Sequence, residues 1–232
     1  MKIAVIPARS GSKRIPGKNT KKFYGKPILS WPIAAALESG LFDQVIVSTD
    51  CRQIAKVAEA AGATVPFIRP TELAGDFVAT VPVIQHAIAQ LANPVISHVC
   101  CIYPTAVFLT PEILAEAVAR QQQLQADFVM PVTAFPCPVE RALIIAKDGT
   151  LAMRHPEHLN TRTQDCASLY HDVGQFYYGT TQAWLSNTDF YQQKVAAVSL
   201  PKYRAHDIDN PDDWVFAELV FSQLTKLTSE YD

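Results

Sequence analysis

Hydrophobic and polar positions along the chain alternate between two periods. Short runs in which nearly every residue is apolar (KIAVIPA at 2–8, FDQVIVSTD at 42–50, SHVCCIYPT at 97–105 and ADFVMPVT at 126–133) read as strands buried on both faces. Between them, KPILSWPIAAALESG, CRQIAKVAEAAG, VPVIQHAIAQLA and TPEILAEAVARQQQL place their apolar residues at helical spacing. Pro32 falls early enough in the first of these for a first turn or a kink, and Thr110 with Pro111 form an N-cap and first helical position for the last. Strands alternating with such helices predict an α/β fold, a mostly parallel sheet covered on both faces. Each strand ends in polar or turn residues, and ligands of such sheets collect at the carboxyl ends of the strands.

From about residue 134 to 171 the rhythm breaks. Pro136, Pro138 and Pro156 interrupt it, and ALIIAKDGTLAM reads as a hairpin turning at Asp148-Gly149. The segment is predicted to be an arm inserted into one domain spanning 1–232. GQFYYGTTQAWL then restores a strand and a helix, and AHDIDNPDDWVFAELVFSQL ends in a last helix. At 232 residues and 49% hydrophobic, the chain can bury one core of this kind.

Charge adds what periodicity does not show. The formal net charge of −2 conceals a divided chain: residues 1–26 hold eight of the 20 Lys and Arg and no acid. The basic tract is threaded between a strand and a helix rather than forming a low-complexity tail. That placement points to a small anionic ligand and away from nucleic acid. No apolar run reaches the roughly 18 residues that span a bilayer, and the apolar N-terminus enters the basic loop without a cleavage site. A cytoplasmic protein with no membrane partner is expected. The five cysteines, odd in number and without CxxC spacing, read as reduced structural thiols.

The candidate chemistry begins in AVIPARSGSKRIPGKN, residues 4–19, where Arg9, Lys13, Arg14 and Lys18 are interleaved with Gly11 and Gly17. A strand opening into a Gly-containing loop and then a helix is a common phosphate cradle. The P-loop pattern fails, because five residues separate the glycines and Asn19 follows Lys18; the dinucleotide fingerprint fails for want of a glycine two positions from Gly11. A solvated basic loop remains a reading, but exposed patches usually mix signs. A triphosphate, with further charge developing on leaving pyrophosphate, explains the clustered cations better. In HDIDNPDDW, alternate side chains of an extended segment put Asp207 and Asp209 on one face, as hard oxygen ligands for Mg²⁺. The competing reading is helix capping by Asp209 or Asn210, with Pro211 first in the helix and Asp212 and Asp213 favouring its dipole. Asp207 lies too far upstream to cap. In VSTD, Thr49 or Asp50 reads as a helix cap. Arg69 sits on a proline-stiffened loop, and NTRTQD and YHDVGQFYY have the donors, acceptors and aromatics of a carbohydrate site; taken alone, His171 reads as structural.

IPARSGSKRIPGKN resembles the N-terminal signature of the bacterial sugar-acid cytidylyltransferases, relatives of the CMP-sialic acid synthetases. LFDQVIVSTD, RPTELAGD and HDID resemble further blocks of that family in the same order, and CCIYPTA, ERAL, NTRTQD and YHDVGQFYY resemble its pseudaminic acid branch. The likeness covers residue 1 to about 220. It implies a Rossmann-like, three-layer α/β/α nucleotidyltransferase fold and a homodimer whose arm reaches the partner's active site. It further implies Mg²⁺-dependent transfer of CMP from CTP to a nonulosonic acid. By motif position, it implies nucleotide contacts from Ala8, Arg9, Ser10, Gly11, Lys18, Asn19, Arg69, Thr80 and Tyr103. Catalytic roles fall to Arg9, Lys13, Lys18, Asp207 and Asp209, the two aspartates as the metal pair. Sugar contacts fall to Tyr103, Arg141, Arg162, Gln164, His171, Gln175 and Tyr177. Tyr103 stands where sialic acid enzymes usually carry Gln, and Val107 where a proline is usual. The alternatives are a sialic acid or 3-deoxy-octulosonate enzyme, a metal-dependent glycosyltransferase with its own Asp-x-Asp pair, and a nucleotide-sensing module without turnover.

Overall fold

A computed structural model describes the backbone of residues 1–231 and the side chains of residues 1–226. In chain order the main elements are β1 (Lys2–Pro7), β2 (Lys22–Phe23), β3 (Lys26–Pro27), α1 (Ser30–Glu38), β4 (Gln44–Ser48), α2 (Arg52–Ala60), α3 (Thr80–Leu91) and β5 (His98–Ile102). There follow α4 (Pro111–Leu124), β6 (Phe128–Ala134), β7 (Leu143–Ile145), β8 (Leu151–Met153), β9 (Tyr170–Asp172), β10 (Phe176–Thr180), α5 (Thr181–Leu185), β11 (Val195–Ser199) and α6 (Pro211–Tyr231). The central sheet runs β11-β6-β10-β5-β1-β4, with β9 added beside β6. Strand β1 is parallel to β4 and β5, and β11 to β6, whereas β10 runs against both its neighbours. The α/β fold expected from the alternating pattern is therefore present, with two strands, β9 and β10, running against the rest.

The strand periodicity explains why both faces are covered. Successive side chains alternate sides, so Ala4 and Ile6 of β1 join one cluster with Val45, Val47, Cys100 and Ile102, under α1, α2 and α4. Ile3 and Val5 join the opposite cluster with Ile46, Val99 and Cys101, under α3 and α5. Each such fully buried aliphatic contributes about 1.5–3 kcal/mol relative to exposure. A third cluster, with Ile15, Phe23, Phe108, Ile208, Trp214 and Phe221, seats the first turns of α6 against the basic loop.

This topology positions the site. From β1 the chain leaves towards β4 on one side, and from β5 it leaves towards β6 on the other, which opens a crevice at their carboxyl ends. Because β10 is antiparallel, it enters the sheet at that same edge, Phe176 opposite Ile102. The loops after β1, β4 and β5 and the turn before β10 therefore share one rim.

Residues 143–153 form a separate two-stranded hairpin, Leu143–Ile145 against Leu151–Met153, outside the central sheet. Its turn is the Asp148-Gly149 pair: Gly149 has φ 85°, and Asp148 Oδ1 accepts from the N–H and hydroxyl of Thr150. All five cysteines are free thiols, with Cys100 and Cys101 in the core. No helix among the described residues is long and apolar enough to cross a membrane.

Candidate active site

The basic loop folds back on itself because its apolar residue is pinned and its polar ones are tied. Ala8, fully buried, extends the sheet ladder by donating its N–H to Ser48. Ser10 donates from both backbone N–H and hydroxyl to Asp50, at 2.9 and 2.6 Å. Ile15 is buried in the third cluster, and buried Asn19 donates to the Arg9 carbonyl at 2.8 Å. Lys18 donates to the Ile208 carbonyl at 2.7 Å, joining the loop to the HDID segment.

A cleft of about 760 Å³ lies along this rim, with Arg9, Lys13, Arg14, Lys18, Asn19 and Arg69 among its lining residues. Thr80, Tyr103, Asp172, Gly174, Tyr177, Asp207 and Asp209 also line it. Every predicted catalytic residue is thus brought to one cavity. The loop's counter-charges come from distant acids. Asp76 pairs with Arg9 at 2.7 Å and Lys13 at 2.6 Å, and Asp209 pairs with Arg14 at 3.0 Å and Lys18 at 3.5 Å. The basic tract lacks acids in sequence but not in space.

The capping alternative resolves cleanly. Asn210 Oδ1 accepts from the N–H groups of Asp212 and Asp213, and Asp213 reaches back to those of Asp209 and Asn210. Asn210 is the cap, so the Asp209 side chain is left for the cleft. Asp207 is open to the cleft but walled by protein, and this desolvation, with Asp209 beside it, pushes its carboxyl above the usual range. Among the described residues no Lys, Arg or His lies at ion-pair distance from Asp207, and no third His, Cys, Asp or Glu completes a protein-only metal cluster. Two carboxylates with open positions suit a cation that keeps waters and binds phosphate oxygens. Gly174, at φ +67°, leaves space here: a Cβ on it would stand 3.7 Å from Asp207 Oδ2.

Arg69 is only 3% exposed, and its Nε and Nη2 have no hydrogen-bond partner. Burial, opposed by Asp50 and reinforced by Arg9, pulls its pKa down, yet a guanidinium remains charged. Burial works against Asp50, but the bonds from Ser10 and the charge of Arg69 outweigh it and hold that carboxyl low. Asp50 is therefore a tether for the loop, not the helix cap expected from VSTD; Cys51 occupies the cap position, and Thr49 accepts its N–H. Thr110 and Pro111 sit where expected, although the Thr110 side chain makes no capping bond to the backbone. Thr80 and Tyr103 share a hydrogen bond of 2.6 Å, and burial pushes the Tyr103 phenol up to about 12.

Several expected residues lie elsewhere. Ala8, Ser10 and Gly11 support the loop without lining the cleft. Gln175 is buried and donates to the Arg204 carbonyl, so it braces the turn before β10. Arg141 donates to Thr161 and Arg162 pairs with Asp165, both within the arm; Gln164 and His171 also lie outside the cleft of their own chain. Conversely, Asp76 and Asp172 line it without having been singled out, and Arg14, read only as one of the clustered cations, lines it too. An acid-free stretch of eight cations signals that distant carboxylates must answer it, but among 22 acids sequence does not say which.

A family model for cytidylyltransferases matches residues 3–214, and the chain belongs to that family. It is 39% identical over 221 residues to a pseudaminic acid cytidylyltransferase of Campylobacter jejuni, covering 94% of this chain and 95% of the relative. It is 33% identical over 222 residues to a CMP-N,N'-diacetyllegionaminic acid synthase of Legionella pneumophila, covering 93% and 94%. Among solved structures, CMP:2-keto-3-deoxy-manno-octonic acid synthetase complexed with CTP superposes with a TM-score of 0.70 at 15% identity, over 96% of this chain and 98% of that one. The last likeness establishes the fold.

Proposed function

We propose that the protein transfers CMP from CTP to the anomeric hydroxyl of pseudaminic acid, releasing pyrophosphate, with Mg²⁺ held by Asp207 and Asp209. The carrying observation is the meeting of Arg9, Lys13, Lys18, Asp207 and Asp209 in one cleft at the carboxyl ends of β1 and β5. The similarity to the Campylobacter relative over nearly its whole length supports the choice of sugar acid.

In this reading the triphosphate lies over the basic loop, where its oxygens compete with Asp76 for Arg9 and Lys13. Lys18, fixed by the Ile208 carbonyl, holds its charge where negative charge grows on the leaving group. Arg69 lines the cleft and keeps its charge, which suits acceptors of the cytidine. The sugar hydroxyl attacks the α-phosphorus, the bond to the bridging oxygen of pyrophosphate breaks, and the hydroxyl proton leaves to water. Asp207 and Asp209 would hold Mg²⁺, which would supply neutralisation of phosphate charge. The protein's share is positioning and fixed charge.

The arm presents apolar Leu143, Ile144, Ile145 and Leu151 to solvent at 58, 51, 73 and 63% exposure. Laid against a second copy, it would bury them and carry Arg141, Arg162 and Gln164 towards the partner's cleft, so the working assembly is a homodimer; His171, paired with Thr133 of β6, stays with its own sheet.

The test is incubation with CTP, Mg²⁺ and each candidate sugar acid, following pyrophosphate. Lys18→Ala and Asp209→Ala are expected to lose about 100- to 1,000-fold in kcat with melting intact. Full activity in either variant removes its assigned role. Release of a nucleoside diphosphate from a nucleotide sugar would instead mark a glycosyltransferase, and turnover of N-acetylneuraminate but not pseudaminic acid would change the substrate.

A further inference from the structure

The cleft is polarised across the sheet. Its cations arrive on the loops after β1 and β4, whereas Asp172 stands at the far side, at the end of β9 opposite Val132 of β6. Among the described residues Asp172 has no Lys, Arg or His at ion-pair distance. A bare carboxylate is a liability in a site built for anions, unless it recognises something of opposite polarity.

The hydrogen bonds around it say what that is. Oδ1 accepts the N–H of Gly174 at 2.7 Å, and Oδ2 accepts the Tyr177 hydroxyl. A carboxylate only accepts, so the Tyr177 proton is committed to it and the phenolic oxygen is left with lone pairs alone. This corner therefore offers acceptors. Beside it, Thr80 and Tyr103 share a hydrogen bond and Tyr103 also meets the Tyr177 hydroxyl, so the hydroxyls form one relay that ends on Asp172. Val83, Val173 and the ring of Tyr103, which meets Tyr177 edge to face at 5.8 Å, supply apolar surface. A ligand carboxylate or phosphate is repelled from such a wall and drawn to the cationic side. An acylamino group matches it: an N–H for Asp172 and a methyl for the apolar lining.

We propose that Asp172 accepts a hydrogen bond from an acylamino N–H of the sugar acid and so fixes which end of that substrate enters the β10 side of the cleft. This rests on the cytidylyl-transfer reading and deepens it, naming a residue that selects the acylamino group.

The experiment measures KM for the sugar acid and for CTP separately in wild type, Asp172→Ala and Asp172→Asn, using pseudaminic acid and its N-methylated amide analogue. Wild type should reject the analogue, which keeps the acyl group but lacks the N–H. Asp172→Ala should raise KM for pseudaminic acid by about 10- to 100-fold, leave KM for CTP within about 2-fold, and treat substrate and analogue alike. Asp172→Asn keeps an acceptor oxygen and should restore part of the discrimination; it also serves if the alanine variant does not fold. A parallel rise in KM for CTP, or discrimination retained in Asp172→Ala, would overturn the assignment. Absence of pyrophosphate from wild type with every sugar acid would defeat the proposed function itself. Wild-type turnover with a sugar KM indifferent to Asp172 would defeat only this inference.

Discussion

Strands β1 and β7 are both short runs of aliphatic residues, yet their surroundings could hardly differ more. Ile3, Val5 and Ile6 have no exposed surface, while Leu143, Ile144 and Ile145 are exposed by half or more. The difference lies in neighbours: β1 has a parallel partner on each side and helices over both faces, whereas β7 has only β8. A two-stranded hairpin is marginal by itself in water. Apolar sequence therefore marks surface that must be covered, and does not say whether the cover belongs to the same chain.

The comparison breaks most visibly in the core. Trp184 is 1% exposed, donates to the Val99 carbonyl at 2.9 Å and meets Phe128 edge-on, so Trp184→Ala should destabilise by about 3–5 kcal/mol in denaturant titration. Gly179 tests the same packing from the other direction. A Cβ there would stand 2.4 Å from the Phe128 ring, and Phe128 is itself buried, so Gly179→Ala should lower stability by about 1–3 kcal/mol through overpacking. A neutral result at either position would mean that this face of the sheet is looser than described.

The cleft lies between the two extremes, because there stability and activity pull apart. Asp207 has a raised carboxyl, so it holds its proton more readily folded than unfolded. Stability is therefore lost as pH rises from the ordinary carboxylate value through the raised one. Asp207→Asn removes that penalty at neutral pH. In the presence of a chelator its melting temperature should exceed that of wild type, while turnover with Mg²⁺ is lost. A lower melting temperature would show that the charge is not a burden to the fold. The smallest effect on the fold belongs to the arm. Ile145→Asp should change monomer stability by no more than about 0.5 kcal/mol, yet convert the proposed dimer to monomers in light scattering. Unchanged assembly would exclude this strip as the contact.

What could be read from sequence follows the range of the forces involved. The two faces of the sheet were legible, since alternation within β1 already separates Ile3 and Val5 from Ala4 and Ile6. So were the cationic loop and the aspartate pair, because both are local clusters. The strand Val195–Ser199 is hidden in sequence: its two alanines weaken the β-branched pattern, and it owes its state to pairing with β6. Asp76 was equally hidden, because its partners Arg9 and Lys13 lie more than sixty residues away. Asp209 was ambiguous between ligand and cap until the neighbouring Asn210 and Asp213 were seen to carry the cap together.

One feature of the aspartate pair reaches beyond chemistry. Between Asp207 and Asp209 stands Ile208, fully buried against the aromatic cluster that also holds Phe108, Trp214 and Phe221. The two carboxylates are thus the arms of a bracket bolted through its middle to the wall. Their spacing is inherited from aromatic rings that never meet a substrate. Slow drift in that cluster over generations would register first as misalignment at the cleft, well before the fold itself gave way.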